Sequence, residues 1–145
     1  GGYFNVGETS IYVAALLFGP LVGALSGGLG AMLSDLYLGF GVFAPGTLII
    51  KSVEGATVGL LNIKLEKYVQ NTTIRAIISV VIGGLTMVTG YFLYETLLAI
   101  LIPGLGIVAI AEIPLNIGQM LVGLIIAIPI MHAVQRVFPQ LKSHL

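Results

Sequence analysis

The sequence predicts an all-α polytopic membrane protein, and three observations carry that expectation. Hydrophobic residues make up 57% of its 145 positions and charged residues only 8%, with a mean hydropathy of +1.09, whereas soluble domains carry about 25% charge. The apolar residues form unbroken runs, unlike the polar/apolar alternation of outer-membrane barrel strands. The runs are interrupted at glycine, proline and charge, on the scale of the roughly 20 residues that a helix needs to cross the hydrocarbon layer.

Five segments follow in order. The first runs from Glu8 to Phe18, short for a span, and the second from Leu21 to about Tyr37. Gly19-Pro20 separates them, a pair that removes an amide donor and disfavours continued helix. The third starts at Pro45, acceptable in a first helical turn, and reaches about Leu65. The fourth runs from Ile74 to somewhere between Glu95 and Ile102. The last runs from Ile113 to about His132, with Pro114 in its opening turn and Pro129 as a kink near its end.

Five of the six basic residues (Lys64, Lys67, Arg75, Arg136 and Lys142) flank the loop between the third and fourth segments or follow the last one. The positive-inside rule makes that side cytoplasmic, and with it the C-terminus. Glu8, Asp35, Glu95 and Glu112 then fall at or near the outer ends of their segments. Were Gly19-Pro20 only a kink, Glu8 to Leu36 would be one bent span and Glu8 would move inside. A hairpin is the preferred reading, because five visible spans with a cytoplasmic C-terminus leave room for a sixth helix ahead of Gly1. The opening GGYFNVGE has neither an initiator methionine nor a basic leader, so it reads as no signal peptide.

Lys51 and Glu54 lie inside an apolar helix, roughly 9 and 14 Å below its outer end at 1.5 Å per residue. Each would cost at least about 2.5 kcal/mol facing lipid, so their shared i, i+3 face must point into the bundle or a wet cavity. A self-neutralising pair that only sets helix packing is the bland alternative. Glu95 reaches the outer boundary about 30 Å above Arg75, with Tyr91 one turn deeper. Asn116 and Gln119 occupy the first two turns of the last segment, and Asp35 closes the second. With Tyr3, Phe4, Tyr12, Tyr37, Phe40, Phe43 and Tyr94, these residues describe a polar, aromatic-walled pocket open to the outside. Some of the aromatics would be interface anchors regardless of function. Glu112 alone suits a helix dipole as well as a ligand.

Gly19, Gly23 and Gly27 recur every four residues, and Gly55 and Gly59 repeat the spacing. Such stripes let helices approach closely, either within one chain or against another membrane subunit; the first stripe is taken here as the candidate docking face for a partner.

Several functions are excluded. Zero formal charge gives no footprint for nucleic acid. Neither a cysteine nor a histidine pair at ligand spacing is present, so no metal is expected, and no cofactor either. No Walker, GxSxG or HExxH motif occurs, and the sequence predicts no enzyme. The sequon Asn71-Thr72-Thr73 lies in a loop placed inside and reads as chance.

The string GGYFNVGE, then AALLFGPLVGALSGGLGAMLSDLYLG and FAPGTLIIKSVEGATVGLL, resembles the substrate-binding S components of energy-coupling-factor vitamin transporters, most of all the riboflavin-type group. The similarity covers roughly the first 60 residues; the last two helices match in general pattern. It implies one membrane-embedded domain of six helices in a prokaryotic plasma membrane, five of them visible here. It also implies a vitamin-binding subunit that works with a membrane coupling subunit and two cytoplasmic ATPases, toppling to carry its occupied pocket inward. By the resemblance Asn5 and Glu8 belong to the loop that closes over substrate, and Lys51 and Glu54 match the charged pair of the family's fourth helix. Tyr12, Asp35, Tyr91, Glu95, Asn116 and Gln119 complete the expected site by depth alone. The family's AxxxA docking motif on its first helix has no counterpart in this chain. Riboflavin leads as ligand, with pyridoxine, hydroxymethylpyrimidine or a thiamine-like compound as alternatives. The competing functions are a membrane scaffold of similar fold, as in cell-shape proteins, and an ion-coupled carrier using Glu54 or Glu95.

Overall fold

The computed structural model describes residues 7–142. They form five helices: α1 (Gly7–Phe18), α2 (Pro20–Tyr37), α3 (Ala44–Lys64), α4 (Thr72–Leu101) and α5 (Leu105–Val137), with short 3-10 turns after α3 and α5. This is the all-helical architecture the apolar runs predict. Among the described residues two helices, α4 and α5, are long and apolar enough to cross a membrane.

Gly19 makes the first break. Its φ of +95°, a left-handed value that side chains disfavour, and Pro20 in the first turn of α2 end one helix and start the next. The chain folds back here as a hairpin, because a Cβ on Gly23 would lie 2.7 Å from the Ala15 Cβ, and one on Gly27 would lie 3.5 Å from Ile11. The kinked single span is thereby set aside.

The same glycines set the closest helix pair in the fold. A Cβ on Gly23 would stand 2.6 Å from the Gly55 carbonyl oxygen, and one on Gly27 2.6 Å from that of Lys51. On α3, a Cβ at Gly59 would meet the Gly19 carbonyl carbon at 2.5 Å. Two GxxxG stripes thus interlock antiparallel, backbone on backbone, as small residues permit. This corrects the docking assignment of Gly19, Gly23 and Gly27: α3 already covers that face, and it is not a surface for another subunit.

The pairings of α3 with α4 and of α4 with α5 are antiparallel too, whereas α1 runs parallel to α3 and α5. Gly83 and Gly90 of α4 admit Val58 and Ile50 of α3, and Gly84 admits Met120 of α5. Gly123 of α5 sits against Glu8 and Tyr12 of α1, which closes the bundle around a core that includes Tyr12, Leu16, Val58, Val80, Met87 and Met131. The outward faces are apolar: Leu21, Leu25, Leu29 and Leu33 follow one another at four-residue spacing along α2, and Ile107, Ile110 and Ile125 protrude from α5. A surface this apolar suits hydrocarbon and not water.

The largest departure from the expected boundaries concerns the last helix. It begins at Leu105, with Gly104 at φ +95° as its cap, and runs unbroken through Pro114 and Pro129. Pro114 therefore lies in the helix interior, not in an opening turn. Each proline leaves one carbonyl without its amide partner, which apolar helices packed among neighbours tolerate better than isolated ones. Glu112 is consequently two turns inside α5, and its placement at a helix N-terminus is corrected. Glu8 likewise sits in the first turn of helix α1, not in a loop.

At the end opposite the polar cavity, Arg75 is buried and joins three elements. Its Nε donates to Asn62 Oδ1 at 3.2 Å, Nη1 donates to the Val69 carbonyl at 3.0 Å, and Nη2 lies 3.9 Å from Glu66. Asn62 in turn donates to the Leu16 carbonyl at 3.1 Å, tying α3 to the end of α1. Asn71 caps α4 by accepting from the Ile74 amide at 3.0 Å, which gives the sequon asparagine a structural role.

Candidate functional site

Polar residues buried in an apolar bundle need partners, and following them leads to one cavity. At its base Lys51 donates to Glu8, and to Glu54 Oε1 at 3.3 Å. The second Glu54 oxygen accepts from the Tyr12 hydroxyl at 3.1 Å. The i, i+3 spacing on α3 puts Lys51 and Glu54 on one face, as the sequence predicts, while Glu8 and Tyr12 come to them from one turn of α1. One amine between two carboxylates offsets the burial cost of all three, since an unpaired member would carry a penalty of several kcal/mol.

One turn higher, Thr47 donates to Asp35 and lies 2.8 Å from the Tyr91 hydroxyl, which donates to it in turn. Lys51 Nζ is 5.8 Å from the centre of the Tyr91 ring, linking the two layers. Above them Phe40 and Phe43 meet edge to face at 6.4 Å, and Tyr94 holds the connection between α2 and α3 by donating to the Val42 carbonyl at 2.9 Å.

These layers line a cavity of about 430 Å³ to which all five helices contribute, within the size range of small-molecule sites. Of the residues predicted from depth and charge, Glu8, Asp35, Lys51, Tyr91, Glu95, Asn116 and Gln119 lie on its wall. Tyr12 and Glu54 do not: both are fully buried beneath it, where Glu54 holds Lys51 and Tyr12 holds Glu54. Asn5 lies outside the described residues.

The wall also holds residues that depth counting missed. Ser26, Gly30 and Ser34 of α2 face the cavity, as does Thr47 of α3. Their signal was legible: the α2 residues recur at four-residue spacing within an apolar helix, and Thr47 precedes Lys51 by one turn. Glu112 joins the wall because α5 extends past it. Among the described residues no group of acidic or histidine side chains is arranged to hold a metal ion.

Comparison with known proteins adds a second line of support. Residues 1–136 match the family described as "ECF-type riboflavin transporter, S component". An uncharacterized protein of Pyrococcus woesei is 41% identical over 90 residues, 62% of this chain and 57% of the relative. The thiamine precursor transporter HmpT of Lactococcus lactis subsp. cremoris is 32% identical over 127 residues, 88% of this chain and 66% of that protein. The chain therefore spans less than two thirds of the length of either relative. No solved structure matches it.

Proposed function

We propose that this chain, which belongs to the S component family of ECF-type riboflavin transporters, captures a water-soluble vitamin or vitamin precursor in the cavity between its five helices. The family is one of transporter subunits, not enzymes. The observation that carries the reading is the cavity itself, lined with carboxyls, amides, hydroxyls and aromatic rings inside a bundle whose outer faces are apolar. Nothing in helix packing requires such a lining, and every polar group in it costs free energy unless something polar occupies the space.

Riboflavin is the first candidate from the family's description, and the precursor of thiamine is the second, from the name of the relative HmpT. In this reading the basic end of the bundle and the C-terminus face the cytoplasm and the cavity opens outward. Uptake then needs a membrane coupling subunit and two ATPases, because the chain has no nucleotide motif and a binding pocket alone does no work. The toppling of the occupied subunit within the plasma membrane delivers the cavity inward.

The test is to purify the protein, denature it and identify any co-purifying small molecule by mass spectrometry. A stoichiometric vitamin is expected. A folded protein that is empty and that binds no member of a vitamin panel overturns the reading in favour of a membrane scaffold.

A further inference from the structure

Among the described residues two carboxylate oxygens are buried without a hydrogen-bond partner, Glu8 Oε2 and Glu95 Oε2. Glu8 is 5% exposed and Glu95 1% exposed, and both line the same cavity. The other Glu8 oxygen is engaged by Lys51. Beside Glu95 stands Glu112, itself a carboxyl within hydrogen-bonding reach. A second acceptor cannot satisfy the first unless a proton or a donor lies between them.

Leaving a buried acceptor unsatisfied costs about 1–3 kcal/mol, and more when it is charged. Water can donate to these oxygens while the cavity is open. A ligand that displaces that water must bring donors of its own or lose affinity. The field points the same way: among the described residues Glu8, Asp35 and the Glu95–Glu112 pair line the cavity against one amine, that of Lys51, which Glu8 and Glu54 already hold. An anionic group such as a phosphate ester would be repelled, while a polarised N–H or a cation would be attracted. Phe40, Phe43 and Tyr91 supply ring faces for a flat heterocycle.

We infer that the ligand is an unphosphorylated, amino-substituted nitrogen heterocycle that donates hydrogen bonds to Glu8 at the base of the cavity and to Glu95 near Glu112. A ring whose polar edge carries carbonyl groups in place of amino groups presents fewer donors to these acceptors and fits less well. The inference rests on the vitamin-capture reading and narrows its substrate class.

Calorimetric titration of the detergent-solubilised protein tests it with three probes: an aminopyrimidine with a hydroxymethyl arm, the pyrimidinone of the same skeleton, and riboflavin. The aminopyrimidine is expected to bind at least tenfold tighter than the pyrimidinone. Glu95→Gln, which keeps the shape but replaces an acceptor oxygen with a donor, is expected to reduce that preference at least tenfold, and Glu112→Gln to reduce it less. The wild-type ratio needs no variant to fold, so equal affinity for the two pyrimidines overturns the donor assignment. Tighter binding of riboflavin than of the aminopyrimidine overturns it too, while leaving vitamin capture in place. Binding of none of the three by a protein with intact helical signal overturns the assignment, and the panel described above then decides the fate of the wider reading.

Discussion

Lys51 and Glu54 sit one helical turn apart on α3 with Nζ and Oε1 separated by 3.3 Å, and both are buried. Glu8 shares the same amine from α1. Removing the amine leaves two buried carboxylates facing one another.

Lys51→Met is therefore expected to destabilise the protein by about 3–5 kcal/mol, the range for breaking a buried ion pair. Adding Glu54→Gln to it should recover part of that loss. Thermal unfolding of the two single variants and the double variant in one detergent checks the coupling, and strictly additive losses would show that the residues do not interact.

Glu54→Gln alone keeps the Lys51–Glu8 pair. Affinity for the native ligand is expected to fall about tenfold, as Lys51 shifts toward Glu8 and away from the Tyr91 ring, with helical content unchanged. Titration with the ligand recovered from the purified protein measures this, and undiminished affinity would make Glu54 a packing residue.

At Gly23 a methyl group would press on the Gly55 carbonyl oxygen, which is backbone and cannot rotate away. Gly23→Ala is expected to cost about 1–3 kcal/mol by overpacking. Gly106→Ala, whose nearest neighbour would be Ala99 Cβ at 3.8 Å, should be neutral or stabilising. Melting temperatures of the two variants compared side by side report the contrast. Equal melting temperatures would contradict the interlocked α2–α3 pair.

The hydroxyl of Thr47 connects Asp35 with Tyr91. Thr47→Val, equal in shape, removes that connection and is expected to weaken ligand binding several-fold and stability by about 1 kcal/mol, whereas Thr47→Ser should retain both. Binding isotherms for the pair separate the hydroxyl from the methyl contribution.

Arg75 belongs to the far end of the bundle and touches no residue of the cavity wall. Arg75→Met is expected to lower stability by about 3 kcal/mol through the loss of its contacts to Asn62, Val69 and Glu66, while ligand affinity in the folded fraction stays unchanged. A parallel loss of affinity would show that the two ends are coupled.

Composition and run length alone determined the membrane-type, all-helical character, since a chain this apolar has no other soluble or barrel solution. The break between α1 and α2 and the starts of α3 and α4 followed from Gly19-Pro20, Pro45 and the polar loop near Asn71, because those residues act on the backbone locally. The start of α5 did not, because Pro114 marks a boundary only where nothing around the helix compensates for its missing amide, and that is a property of the neighbours. Lys51 and Glu54 were legible as a buried pair, since their cost in lipid depends on charge and depth only. What tertiary structure decided was which distant residues meet them: that α1 delivers Glu8 and Tyr12 to the same amine, that Tyr12 and Glu54 end beneath the cavity, and that Gly23 and Gly27 are covered by α3. Those outcomes depend on how the helices rotate about their axes and which stripes interlock. Helical periodicity names the residues on each face; only the closed bundle of five sets the faces against one another.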